Sequence, residues 1–120
     1  MKRLALAAVL AFTATGLCAQ ELTGVLKKIK DSGTITLGIR ETSIPFSYLD
    51  EKQQPIGYSI DLCGHLVEAI KAELKSPALQ VRQIPVVSQT RIPLVANGTV
   101  DLECGSTTNT LTRQKQVGFG

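Results

Sequence analysis

Three short runs of apolar and β-branched residues alternate with helical patterns, and this alternation limits the fold more than any other feature of the chain. The runs cover residues 34–39, 79–87 and 100–105. Apolar residues at helical spacing precede the first run, and a helical pattern also follows each run. Because strands that are joined through helices run parallel, this order predicts an α/β fold with a mostly parallel sheet flanked by helices.

The connections between these elements add detail to the prediction. Residues 46–58 indicate a small hairpin or flap between the first strand and the second helix. Ser59 and Ser88 are the predicted N-caps of the second and third helices, since a serine hydroxyl accepts a free N–H group there. Residues 117–120 look like the start of a further strand that has no room to finish. We therefore expect this sequence to be a fragment.

Residues 1–19 have the features of a secretory signal peptide. Lys2 and Arg3 form a charged start, residues 4–12 are apolar, and small residues precede a polar start at Gln20. The apolar run is too short to span a bilayer comfortably. We expect residues 20–120 to form the mature domain and to be exported to the periplasm.

The net charge of +3 is misleading, because the predicted signal peptide supplies two of these charges. From residue 20 onward the chain has 11 basic and 10 acidic residues. A nearly neutral chain without a basic patch argues against a nucleic-acid partner or binding to a membrane surface.

Two cysteines, Cys63 and Cys104, lie outside the predicted signal peptide. Cysteines in an oxidising compartment are able to pair, but linear spacing does not decide whether these two meet. We expect two separate, small buried hydrophobic residues, with a disulfide as the alternative. The single histidine, His65, falls within a helical pattern, and no metal-ligand spacing occurs. Neither a metal nor a cofactor is therefore expected.

Polar side chains follow each predicted strand at its C-terminal end, the edge at which open α/β sheets bind ligands. Arg40 follows the first strand, and Ser88 and Arg91 follow the second. Residues 106–112 follow the third strand with five hydroxyl side chains, and Arg113 comes next. Because guanidinium groups suit carboxylates, three such arginines predict a site for a small molecule with several negative charges. The alternative is that all three are ordinary surface residues.

Six motifs occur in the order found in a known family. They are residues 38–41 (GIRE), 45–48 (PFSY), 57–62 (GYSIDL), 88–94 (SQTRIPL), 97–101 (NGTVD) and 105–114 (GSTTNTLTRQ). The chain resembles the first lobe of a periplasmic amino-acid-binding protein, from family 3 of the solute-binding proteins of ABC importers. The runs that start at Ser88 and Glu103 are similar, almost residue for residue, to those of the glutamate/aspartate-binding members. The resemblance implies a type II periplasmic binding protein fold that stops before its second lobe.

The resemblance also implies roles for single residues. In the family, an arginine placed like Arg113 clasps the α-carboxylate of the ligand, and groups placed like Ser106 and Thr108 complete that grip. The position of Arg40 is acidic in relatives that bind lysine or arginine, so a cation there favours an acidic ligand side chain.

Two further positions depart from the commoner family pattern. Ser88 stands where many relatives have an aromatic residue, and Arg91 stands where they have an aliphatic one. A hydroxyl and a second cation thus replace an apolar wall, which implies L-glutamate or L-aspartate as the ligand.

The resemblance implies a protein that binds such an amino acid and delivers it to a membrane permease. It also implies a monomer without enzymatic activity. The alternatives are an enzyme or sensor on the same fold, such as a secreted dehydratase or the regulatory lobe of a cell-wall lyase. An enzyme needs a general acid or base, and Glu103 is the one candidate at the strand ends. Glu103 is also a candidate to hold the ligand's ammonium group, which the second lobe binds in the family. Without that lobe, we expect weak binding.

Overall fold

The computed structural model describes residues 21–120, so the predicted signal peptide lies outside the described residues. The helices and strands are α1 (Gly24–Ser32), β1 (Thr34–Ile39), β2 (Thr42–Ser43), β3 (Ser47–Leu49), β4 (Pro55–Ile56), α2 (Tyr58–Glu73), β5 (Gln80–Pro85), α3 (Arg91–Ala96), β6 (Leu102–Cys104) and α4 (Leu111–Gln114). This order confirms the predicted alternation of helices and strands. None of the helices within residues 21–120 has both the length and the apolar character needed to cross a membrane.

The main sheet has the strand order β5-β1-β6, and all three strands are parallel. Strand β1 lies in the centre, and five of its six residues are buried, as its apolar sequence predicts. The chain passes from β5 on one side of β1 to β6 on the other, so the direction of winding reverses at β1. In parallel α/β sheets, ligands bind at the carboxyl edge near such a reversal.

Strands β2, β3 and β4 form a separate antiparallel sheet, which confirms the predicted flap. Ser47, the first residue of β3, is fully buried. Its hydroxyl donates to the carbonyl of Arg40 at 2.7 Å and accepts the N–H of Arg40 at 2.9 Å. Both backbone groups of the residue that follows β1 are thereby fixed, which orients the Arg40 side chain.

The predicted N-cap of α2 is wrong by two residues, because Gly57 occupies that position with a φ of 126°. The first N–H groups of α2 donate to the carbonyls of Pro45 and Phe46 in the flap, so no serine cap is needed. The hydroxyl of Ser59 instead donates to the carbonyl of Gly105 at 2.8 Å. Ser59 thus connects α2 to the loop that follows β6.

Two other expectations about local structure are also wrong. Helix α3 begins at Arg91 with Thr90 as its N-cap, so Ser88 does not cap it. The hydroxyl of Thr90 accepts the N–H of Val87 at 3.1 Å, which forms a turn before the helix. Residues 117–120 form no strand within the described part of the chain. The N–H of Val117 instead donates to the carbonyl of Arg113, at the end of α4.

The hydrophobic core lies between the sheet and the helices α1 and α2. Cys63 of α2 and Cys104 of β6 are both buried in it and are joined by a disulfide, with their Cα atoms 6.2 Å apart. The expectation of two separate cysteines is therefore wrong. Helix α2 packs across the sheet and brings Cys63 to the end of β6, which linear spacing could not reveal. The bridge fixes the end of β6 immediately before the hydroxyl-rich loop.

A buried carboxylate fixes the chain just before β6. The Asp101 side chain is 2% exposed and accepts the N–H of Thr36 at 2.8 Å and the ammonium group of Lys28 at 2.6 Å. The Lys28 ammonium group also donates to the carbonyl of Gly98 at 2.5 Å. These contacts connect α1, β1 and the entry to β6, so the strand that leads to the candidate site is held at both ends.

Candidate ligand-binding site

The six predicted site residues all follow the carboxyl ends of the three parallel strands. Arg40 comes after β1, Ser88 after β5, Arg91 at the start of α3, Ser106 and Thr108 after β6, and Arg113 in α4. Parallel strands end at the same edge of a sheet, so these segments are brought to one side of the lobe. Within residues 21–120, no three His, Cys, Asp or Glu side chains are grouped in a way that could hold a metal ion.

Arg40 and Ser88 are in direct contact. Nη1 of Arg40 donates to the Ser88 hydroxyl at 3.2 Å, although 48 residues separate them along the chain. The contact joins the connection after β1 to the connection after β5. Ser88 is therefore not a helix cap, and it lies after β5 in contact with Arg40.

Arg113 folds back over its own loop. Its Nη1 donates to the Thr108 carbonyl at 2.8 Å, and its backbone N–H donates to the Thr110 hydroxyl at 3.3 Å, which caps α4. The Thr108 backbone thus positions the Arg113 guanidinium. The fork of Arg113 has five N–H donors, so one such bond leaves most of its donor capacity for a ligand.

Ser43 and Ser59 also hold this loop, and the sequence analysis did not assign either of them to the site. The hydroxyls of Ser106 and Ser43 lie 3.4 Å apart, and Ser59 donates to Gly105 as described above. Ser59 matched the pattern of a helix cap, and Ser43 lies in a short flap strand without a motif of its own. No signal in the sequence distinguished either residue as a support for the loop.

Arg91 is buried, with 7% of its surface exposed, and its Nε and Nη1 atoms have no hydrogen-bond partner in the described part of the chain. Burial lowers the pKa of the Arg91 guanidinium, the Glu103 carboxylate raises it, and the charges of Arg40 and Arg113 lower it further. The burial of Arg91 contradicts the alternative that all three arginines are ordinary surface residues.

A cavity of about 210 Å³ opens beside Arg91. Glu103 and Thr107 line it as well, and the Thr107 hydroxyl donates to Oε2 of Glu103 at 2.9 Å. Oε1 of Glu103 lies against Gly105, where a Cβ atom would overlap it and would also come within 2.9 Å of Cγ of Arg40. Because residue 105 is a glycine, the Glu103 carboxylate can lie against it on the side of Arg40.

Of the six predicted site residues, Arg91 alone lines this cavity. The candidate site at the carboxyl edge of the sheet has three guanidinium groups and several hydroxyls, with the Glu103 carboxylate beside them. Guanidinium groups form bidentate, charge-assisted hydrogen bonds with carboxylates. Three cations against one internal anion leave an excess of positive charge. Such a set of groups is chemically suited to a small anion.

The fold of this chain resembles solved structures, and its sequence matches a known protein family. The fold is that of the type II periplasmic binding proteins. It superimposes with a TM-score of 0.65 on an ancestral amino acid-binding protein that is a precursor of cyclohexadienyl dehydratase, with 27% identity over 77% of this chain and 37% of that one. Residues 35–120 match the bacterial extracellular solute-binding proteins, family 3. The chain belongs to this family, which confirms the resemblance.

Two curated relatives match a larger part of this chain than the family model does. An L-glutamate/L-aspartate-binding protein of Pseudomonas aeruginosa is 62% identical over 117 residues, which cover 97% of this chain and 39% of that protein. The glutamate/aspartate import solute-binding protein of Escherichia coli is 55% identical over 94 residues, covering 78% of this chain and 31% of that protein. The chain thus spans less than two fifths of the length of these relatives.

Proposed function

We propose that the full-length protein binds L-glutamate or L-aspartate outside the cytoplasm and delivers it, as a monomer, to the membrane permease of an ABC importer. The observation that carries this proposal is the burial of Arg91, whose Nε and Nη1 atoms have no partner among the described residues, at the sheet edge where Arg40 contacts Ser88. An acidic amino acid has two carboxylates and one ammonium group, so it matches a site with an excess of cations. The names of the two curated relatives agree with this ligand class.

We assign the two carboxylates of the ligand to different parts of the site. Arg113, with Ser106 and Thr108, is the proposed partner of the α-carboxylate. Arg40 and Arg91, with Ser88, are the proposed partners of the side-chain carboxylate. Each charge-assisted hydrogen bond contributes about 1.5–3 kcal/mol when water is excluded from the cleft.

Two observations support a location outside the cytoplasm. The family consists of bacterial extracellular proteins, and the Cys63–Cys104 disulfide is typical of an oxidising compartment such as the periplasm. The signal-peptide features of residues 1–19 point the same way.

Replacement of Arg91 by leucine tests the assignment to the ligand side chain. We expect Arg91→Leu to weaken binding of L-glutamate by about ten- to a hundredfold, the equivalent of one charge-assisted bond. Binding of L-glutamine should change several times less, because its side-chain amide carries no charge. Isothermal titration calorimetry on the full-length gene product with both ligands measures the difference.

Arg82→Leu is the matched control, since Arg82 is an exposed arginine in β5 and its charge is not among those that shift the pKa of Arg91. The control should bind both ligands as the wild type does. Equal losses for glutamate and glutamine in Arg91→Leu would refute the assignment.

An enzyme is the second candidate, because the structural neighbour described above is a precursor of cyclohexadienyl dehydratase. Such an enzyme needs a general acid or base within reach of its substrate. Glu103 lines the cavity beside Arg91 and accepts a hydrogen bond from Thr107. Asp101, the other carboxylate in the lining, is held by Lys28 and by the N–H of Thr36. We expect no turnover of prephenate-like acids by the full-length protein. Turnover that Glu103→Gln abolishes would favour the enzyme instead.

A further inference from the structure

Ser59 joins three elements that surround the candidate site. It lies in the first turn of α2, and its backbone N–H donates to the Phe46 carbonyl of the flap at 2.8 Å. Its hydroxyl donates to the Gly105 carbonyl at 2.8 Å, across 46 positions of the sequence. One residue of the helix thus holds both the flap and the loop that follows β6.

Cys63 supports the same point from one turn further along α2. Residues four apart lie on the same face of a helix. Here that face contacts two consecutive residues, because Cys63 is joined to Cys104 and Ser59 donates to Gly105. The end of β6 is therefore held to α2 by a covalent bond, and the first residue of the loop is held to it by a hydrogen bond.

The bond from Ser59 fixes more than one carbonyl group. The peptide unit is planar and trans, so the carbonyl of Gly105 and the N–H of Ser106 belong to one rigid group and point in opposite directions. Since the Gly105 carbonyl points toward α2, the Ser106 N–H points away from it. The Ser106 hydroxyl lies 3.4 Å from that of Ser43 in the flap, which holds the next part of the loop.

We propose that Ser59 is a positioning residue for the part of the site that receives the α-carboxylate. Its hydroxyl fixes the Gly105–Ser106 peptide, so that the Ser106 N–H already has its binding orientation before a ligand arrives. Ser59 itself does not touch the ligand. A loop that adopts its binding arrangement for only part of the time binds more weakly by that fraction. The role toward the ligand rests on the proposed function, whereas the orientation of the peptide does not.

Replacement of Ser59 by alanine tests this role in the full-length protein. Ser59→Ala should weaken binding of both L-glutamate and L-glutamine by about three- to tenfold, the population shift equivalent to one neutral hydrogen bond. The ratio of the two affinities should not change, because the α-carboxylate is common to both ligands. Ser59→Thr keeps the hydroxyl donor and should bind within about twofold of the wild type. Isothermal titration calorimetry measures all of these affinities.

Ser76→Ala is the matched control. The Ser76 hydroxyl donates to the Leu74 carbonyl at 3.1 Å, just beyond the other end of α2. Both alanine variants lose one bond from a serine hydroxyl to a backbone carbonyl, so their melting temperatures should fall by similar amounts. Ser76→Ala should nevertheless keep the affinities of the wild type. Wild-type affinity in Ser59→Ala, an equal loss in Ser76→Ala, or a changed ratio between the two ligands contradicts the positioning role.

A measurement without ligand separates this inference from the proposed function. In the ligand-free full-length protein, backbone order parameters from NMR relaxation should fall for residues 105–108 in Ser59→Ala, from about 0.85, as in rigid backbone, toward about 0.6. They should stay unchanged in Ser76→Ala. Unchanged order parameters in Ser59→Ala overturn the inference. If the wild type binds neither amino acid, the proposed function fails, and the order parameters still decide whether Ser59 fixes the peptide.

Discussion

Arg113→Ala is expected to remove binding of every amino acid ligand, acidic or neutral, in the full-length protein. The α-carboxylate is common to all amino acids, and Arg113 is its proposed partner. Loss of one side of a buried, hydrogen-bonded charge pair costs about 2–5 kcal/mol, which lowers affinity by roughly 30-fold to several thousandfold. The expected effect thus exceeds that of Arg91→Leu and, unlike it, does not depend on the ligand side chain. Calorimetry with L-glutamate, L-aspartate and L-glutamine measures it.

Two further variants make this test specific. Arg82→Ala removes an exposed arginine from β5 and should leave the affinities unchanged. Arg113→Lys keeps the charge but loses the planar fork, so its affinity should lie between those of the wild type and the alanine variant. Helix α4 should persist in all of them, because its cap uses the backbone N–H of residue 113. If Arg113→Ala binds glutamate within a few-fold of the wild type, the assignment of the α-carboxylate is wrong.

The parallel sheet, and the common edge at which the candidate site residues lie, could be predicted because they depend on local pattern. Every residue of 34–39 except Gly38 is apolar or β-branched, which suits a central strand, and β1 occupies these residues. Once the three strands are known to be parallel, their carboxyl ends must lie at one edge. Arg40, Ser88 and the loop after β6 then fall on the same side of the lobe without further information.

The roles of single hydroxyls could not be predicted, because they depend on neighbours that are distant in sequence. Ser59 matches a helix cap, yet flap carbonyls already satisfy the first N–H groups of α2, and its hydroxyl reaches Gly105 instead. Ser88 fails as a cap for a different reason, since Thr90 closes the preceding turn. In both cases, the serine hydroxyl instead bonds a group from a distant segment, Gly105 for Ser59 and Arg40 for Ser88.

The burial of Arg91 also lies beyond sequence pattern. An arginine at the start of a helix is usually exposed, because a buried guanidinium loses its hydration. Here Arg91 is 7% exposed and lines a cavity together with residues of α3 and β6. The proposed preference for an acidic ligand therefore depends on the burial of an arginine that only the folded arrangement reveals.

The disulfide carries the largest stability prediction. Cys63 and Cys104 are 41 residues apart, and closing a loop of this length stabilises a protein by about 4 kcal/mol in the chain-entropy estimate. For a domain of this size, that corresponds to a fall in melting temperature of roughly 15–30 °C when the bond is absent. Cys63→Ala combined with Cys104→Ala, or reduction of the wild type, should produce this fall. Calorimetry or circular dichroism on the full chain, with and without reductant, measures it.

The double alanine variant is also the control for reduction, since a reductant should not change its melting temperature any further. The position of the bond adds a second consequence. Cys104 lies between Glu103 and Gly105, so the loss of the bond should loosen the loop that holds both Glu103 and the hydroxyls after β6. Hydrogen exchange in residues 103–108 should therefore accelerate more than exchange in β1. Uniform acceleration would mean that the bond stabilises the lobe as a whole, and an unchanged melting temperature would mean that the two cysteines are not joined in solution.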